Sequence, residues 1–262
     1  MRLPTRPTGS LPLPALPAGS PSLPARARRA ARRVLAVGLL IGVGATAACS
    51  TLPLTPVSQP TASAAANPSR TDGSASLAEF RGDIDESRSS VEQYWSAVLT
   101  RRGDRFQPIS QLIAYRGAND VRCAGSALGL NNAAYCADGD FIAYDARWAQ
   151  RSFRQIGDAF IYYLIGHEYG HAMQRRLGIT HRFTIQHELQ ADCFAGAYIG
   201  DSVRAKQLQL QTGDLRELRR GLAAVADDES QPWFAAGAHG TAAQRTSSFF
   251  NGYNRSLRAC DL

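Results

Sequence analysis

His167-Glu168-Tyr169-Gly170-His171 is the stretch that decides how this chain is read. It lies in a run, Asp158 to Arg176, that reads as a helix. Positions four apart share a helix face. Both imidazoles can therefore reach one metal ion, and Glu168 lies on the same side of the helix. Two nitrogen ligands and a carboxylate placed to take a proton from metal-bound water are the parts a zinc hydrolase needs. With five His and seven Glu in the chain, one such pentapeptide arises by chance in about 0.3 per cent of sequences of this composition. The bland alternative is an amphipathic helix whose two histidines are hydrogen-bonded core residues.

A zinc site of this kind needs a third protein ligand. His181 would serve in the pattern H-E-x-x-H-x-x-G-x-x-H, but the spacing fails: Gln174 stands three residues after His171, and Gly178 to His181 falls four residues late. No known spacing supports His187. Glu188, in Glu188-Leu189-Gln190-Ala191-Asp192, is the better candidate. Asp192 lies one helical turn beyond it on the same face. Metal-bound histidines usually donate their second ring N–H to a carboxylate, so Asp192 is expected to support His167. The flanking Leu189, Ala191, Phe194, Ala195 and Ala197 predict a buried helix, where two unpaired carboxylates would be costly.

Working outward, the apolar face Phe160, Ile161, Leu164 and Ile165 leads into the pentapeptide, and Gly178 reads as the helix stop. Gly166 and Gly170 each cost about 1 kcal/mol relative to Ala in a helix. They suggest close approach by a packed helix or a substrate backbone. Further helices are expected over about Ile185 to Val203, Gly213 to Val225 and Thr241 to Tyr253. Upstream, Ile84 to Leu99 has a helical pattern, and Ile109 to Tyr115 and Phe141 to Tyr144 are short β-like runs. The expected fold class is α+β, mostly helical, with a small β portion before the pentapeptide helix.

The formal charge of +7 is local. Residues 1–48 hold seven Arg and no acid, which leaves 22 basic against 22 acidic residues in the remainder. No basic stripe interleaved with aromatics occurs, so the charge does not point to nucleic acid. Arg26 to Arg33 is a positive cluster before a 15-residue apolar run, Val34 to Ala48. Such a run is short for a membrane span and right for a signal peptide. It ends in Thr46-Ala47-Ala48-Cys49, similar to a bacterial lipoprotein cleavage box in which the Cys is lipidated. Ordinary secretion after signal cleavage is the alternative. Residues 49–76, rich in Ser, Thr, Pro and Ala, read as a tether, and residues 77–262 as one folded domain. Outside the cytoplasm, Cys123 and Cys136 are expected to pair across a short loop. Nothing in the sequence indicates an oligomeric state.

Taken together, the chain resembles the neutral zinc metallopeptidases of bacteria, which have the glutamate-type ligand pattern of thermolysin-like enzymes. The resemblance rests on His167-Glu168-Tyr169-Gly170-His171, Glu188-Leu189-Gln190-Ala191-Asp192-Cys193-Phe194-Ala195-Gly196 and His239-Gly240-Thr241-Ala242-Ala243-Gln244-Arg245. It covers most of residues 94–262. It implies a zincin-like domain with one zinc ion on His167, His171 and Glu188, and Glu168 as catalytic acid/base. It also implies a disulfide between Cys193 and Cys260, which with Cys123, Cys136 and Cys49 would account for all five cysteines.

The mechanism this implies needs a donor for the tetrahedral oxyanion. His239, in Ala-Gly-Ala-His-Gly-Thr, is the candidate. Tyr169 is expected to point away from the ligand face, and Arg245 to anchor a structural carboxylate. The expected partners are a peptide or protein substrate and a membrane, reached through the lipid anchor. Two other functions fit the same residues: a zinc-stabilised envelope lipoprotein that binds a partner, and a hydrolase of a cell-wall amide.

Overall fold

A computed structural model describes residues 76–262. The expected signal peptide (1–48), nearly all of the tether (49–76) and the lipidation site Cys49 lie outside the described residues. Ser76, the last residue of that tether, belongs to the fold. Its side chain accepts from the Glu79 N–H at 3.1 Å, and Glu79 answers to the Ser76 N–H, a capping box that starts helix α1 (Leu77–Arg102). The helix is longer than the stretch Ile84 to Leu99 because this cap and the buried Phe80 extend it at its start.

A small mixed sheet follows. Strand β1 (Gln111–Tyr115) pairs in parallel with β5 (Phe141–Asp145), Gln111 opposite Phe141. Strand β4 (Ala133–Cys136) pairs antiparallel with the other side of β5, Ala133 opposite Tyr144, and so forms an edge. A short hairpin, β2 (Arg122–Cys123) with β3 (Ser126–Ala127), sits between. The β-like run at Ile109 begins two residues too early: the Ile109 N–H is given to the Tyr169 hydroxyl at 3.1 Å rather than to a strand. The sequence reading did not identify β4. Ala-Ala-Tyr-Cys has little intrinsic strand preference, and it is held by pairing with β5 and by the Cys123–Cys136 disulfide.

Helix α2 (Ala146–Ile156) is capped by Asp145, which accepts from the backbone N–H of Arg147 and Trp148. Then comes α3 (Ala159–Leu177), the pentapeptide helix, capped by Asp158 and closed by Gly178 at φ 66°. Helices α4 (Thr184–Arg204), α5 (Asp214–Ala224) and α6 (Ala242–Arg255) complete the described fold, with a 3-10 turn at Leu257–Ala259. The result is a mostly helical α+β fold with its sheet before the pentapeptide helix.

Helix α3 is central. It packs on α1, α4 and α5, and β4 lies across it. Phe160, Ile161, Ile165, Tyr169 and Met173 on it are fully buried. The glycines in α3 are explained by a packed helix. A Cβ on Gly170 would sit 3.0 Å from the Ala191 Cα, and one on Gly166 3.1 Å from the Tyr198 ring, both on α4. Helices α4 and α6 approach still closer, with Gly196 of α4 against the Phe249 carbonyl. A second disulfide, Cys193–Cys260, ties α4 to the C-terminal end. Among the described residues no helix is long and apolar enough to cross a membrane.

Candidate metal centre

Helices α3 and α4 bring His167, His171 and Glu188 together. His167 Nε2 and His171 Nε2 are 3.2 Å apart. Glu188 Oε2 lies 3.3 Å from the first and Oε1 3.4 Å from the second. An ion bound tetrahedrally at 2.0–2.1 Å requires ligand atoms about 3.3 Å from one another. The two nitrogens stand at that spacing, and each has one Glu188 oxygen at about the same distance, so the three side chains could hold one ion between them. Their donor set, two imidazoles and one carboxylate, leaves the fourth position for water or substrate, as in catalytic rather than structural zinc sites.

The support of His167 is buried and charged. Its Nδ1 faces Asp192 Oδ1 at 2.8 Å. Asp192 is completely buried and also accepts from Tyr163 at 2.9 Å, from Arg245 Nε at 2.8 Å and from Arg245 Nη2 at 2.9 Å. Arg245 is 2 % exposed and donates further to the Val225 carbonyl. It anchors the one carboxylate that orients His167. Burial acts to raise the Asp192 pKa, but Arg245, and after it His167, hold the carboxyl below its ordinary value. Burial likewise opposes Glu188, and its bonds to the two histidines drive its pKa far down. Asp192 is thus already paired with Arg245 and His167, while Glu188 faces the two histidines across the cleft.

Glu168 is buried at the same cleft, and its Oε2 accepts the Tyr135 N–H of edge strand β4 at 2.8 Å. This contact sets the carboxylate's position, and only the tertiary fold makes it. Tyr169 does point away, donating to Glu92 at 2.8 Å. His239 lines the cleft on the loop between α5 and α6, where Asp227 takes its backbone N–H at 2.6 Å and faces its Nδ1 at 3.4 Å. The cleft measures about 790 Å³ and runs from β4 past the three candidate ligands to His239 and Arg245.

The two rejected histidines are engaged with each other: the His181 N–H donates to His187 Nε2 at 3.1 Å. Three residues that hydrogen-bond to this group or its supports were not anticipated from the sequence. Tyr163 stands one turn before His167, Gln174 three residues after His171, and Gln190 two after Glu188. The first two spacings are same-face helical positions and could have suggested partners.

Two helices thus present His167, His171 and Glu188 as a group that could hold a metal ion, in a cleft that Glu168 also lines. The family described as "Putative neutral zinc metallopeptidase" matches residues 26–261, and the chain belongs to that family. Among curated relatives, "Uncharacterized protein YpfJ" of Escherichia coli K12 is 32% identical over 192 residues, covering 63% of this chain and 65% of its own. "Uncharacterized protein Rv2575" of Mycobacterium tuberculosis is 33% identical over 115 residues, covering 35% of this chain and 39% of its own. The chain thus spans about 65% of the length of the Escherichia coli relative. No solved structure matches it.

Proposed function

We propose that the protein is an extracytoplasmic metallopeptidase of zincin-like architecture that binds one zinc ion through His167, His171 and Glu188. The observation that carries the reading is the convergence of His167 Nε2, His171 Nε2 and the two Glu188 oxygens, at 3.2, 3.3 and 3.4 Å, in the cleft that Glu168 also lines. Zinc would supply Lewis acidity and lower the pKa of a water toward 7. Glu168 takes the proton from the attacking water and returns it to the leaving nitrogen. Tyr135 holds that carboxylate through its backbone N–H. His239, on the cleft wall, is the proposed donor to the oxyanion.

Edge strand β4 favours a peptide. Alternate residues of a strand turn their backbone groups to the same side. Tyr135 faces Glu168 rather than β5, so Ala133 turns toward the cleft as well. An extended peptide can add to such an edge. The two disulfides support a site outside the cytoplasm. The sequence around Cys49 supports anchoring there by lipid, and mass spectrometry of the membrane-extracted protein tests that part.

The decisive experiment is Glu168→Gln, assayed on an unfolded protein substrate with zinc measured in parallel. Zinc is retained and hydrolysis lost. Equal turnover by wild type and variant would refute the assignment. Stoichiometric zinc with no hydrolysis of any peptide by wild type would point to a partner-binding protein or a non-peptide amide hydrolase.

A further inference from the structure

The two histidines of the centre have supports of different chemistry. His167 is backed by a carboxylate, His171 by an amide. His171 Nδ1 lies 2.9 Å from Gln174 Oε1. The orientation of that amide is fixed by its other end, because Gln174 Nε2 lies 2.8 Å from the His187 carbonyl, which can only accept. The oxygen must then face His171, and His171 must donate from Nδ1. The lone pair on Nε2 is left toward His167 and Glu188, as a metal ligand requires.

The same logic extends one residue further. Gln190 Nε2 lies 3.0 Å from the Cys260 carbonyl, again an obligatory acceptor. Its Oε1 therefore turns back, to accept from Gln174 Nε2 at 3.0 Å and from His181 Nε2 at 3.0 Å. Gln174 and Gln190 are 2 % and 8 % exposed, so these bonds are shielded from water. Cys260 is itself fixed to α4 by its disulfide to Cys193, 67 residues earlier. The bonds form one line: Cys260 carbonyl, Gln190, Gln174, His171.

We propose that Gln174 is a positioning residue for the metal ligand His171, held in its working orientation by Gln190 and the disulfide-fixed Cys260 carbonyl. The disulfide at the C-terminal end then supports zinc affinity as well as stability. This inference rests on His167, His171 and Glu188 being the metal ligands. An amide that merely filled space between α3 and α4 would need neither a defined orientation nor a second amide to impose it.

The test is zinc affinity of the full chain by competition with a chromogenic chelator, with melting of the metal-free protein alongside. Gln174→Met keeps the volume and removes the acceptor, and should raise the zinc Kd about 10- to 100-fold. Gln174→Glu keeps an acceptor for His171 but sets a carboxylate against the His187 carbonyl and Gln190 Oε1. It should lower the melting temperature while leaving zinc affinity close to wild type. Gln190→Met, and Cys193→Ser combined with Cys260→Ser, should weaken zinc by smaller factors. Unchanged affinity in Gln174→Met and Gln190→Met, or equal loss in the Met and Glu variants of Gln174, overturns the proposal. A wild-type chain that takes up no zinc overturns the metal reading beneath it.

Discussion

Asp192→Asn separates the two tasks of the buried carboxylate. Asn preserves the shape but removes the charge and one acceptor oxygen. In the native protein the carboxylate receives Tyr163, His167 and two bonds from Arg245, all between 2.8 and 2.9 Å. The side chains of Arg245 and Asp192 are 3 % and 0 % exposed, so solvent screens little of the pair. Stranding one charge of a buried pair costs about 3–5 kcal/mol. In a domain of this size that is a fall of roughly 6–20 °C in Tm. The same change frees the His167 ring to turn, which should weaken zinc binding about 10- to 100-fold. Denaturant unfolding of the metal-free protein measures the first effect, and chelator competition the second. Adding Arg245→Met should recover stability, because no uncompensated charge then remains. It should not recover zinc affinity, because His167 still lacks its carboxylate. A loss below about 1 kcal/mol in Asp192→Asn, or zinc affinity restored by the second substitution, would refute this account.

The His167 ring gives a pH prediction. Burial acts to lower its pKa, but Asp192 and Glu188 outweigh burial and raise it from 6.5 to about 10 in the metal-free chain. A raised pKa gives stability that is complete below pH 6.5 and is lost as pH climbs to about 10. Zinc must displace that proton, so zinc affinity should rise across the same window while metal-free stability falls, and calorimetry in buffers of different ionisation enthalpy counts the proton released. Gly170→Ala forces a methyl to 3.0 Å from the Ala191 Cα. Separating α3 from α4 in this way should cost about 1–3 kcal/mol and weaken zinc, whose ligands come from both helices; a variant with wild-type melting and zinc affinity would contradict it. Replacing Cys123 and Cys136 by Ser opens a loop of sequence separation 13. It should cost about 3 kcal/mol in unfolding experiments, with zinc affinity unchanged because the loop bears no ligand.

Much of the centre was legible in the sequence because it is written at helical spacing. His167 and His171 are one turn apart, as are Glu188 and Asp192, and a helix converts such spacing into a shared face without help from the rest of the fold. Helix ends were legible for a similar reason: Gly178, Gly213 and Thr241 stand at caps, where the choice of residue is governed by local backbone geometry. Strand β4 was not legible, since four residues with weak preference become a strand only when β5 lies beside them.

Local periodicity, then, determined by itself which residues could face one ion and which stretches would be helices. Only the tertiary structure decided how those faces meet. It set α3 against α4 closely enough for Glu188 to face both histidines, laid the Tyr135 N–H of β4 on Glu168, and brought Arg245 and Cys260 from far along the chain to the residues behind His167 and His171. Those contacts join residues 33 to 70 positions apart. No short-range pattern encodes them, because they depend on how helices with glycine-lined faces pack.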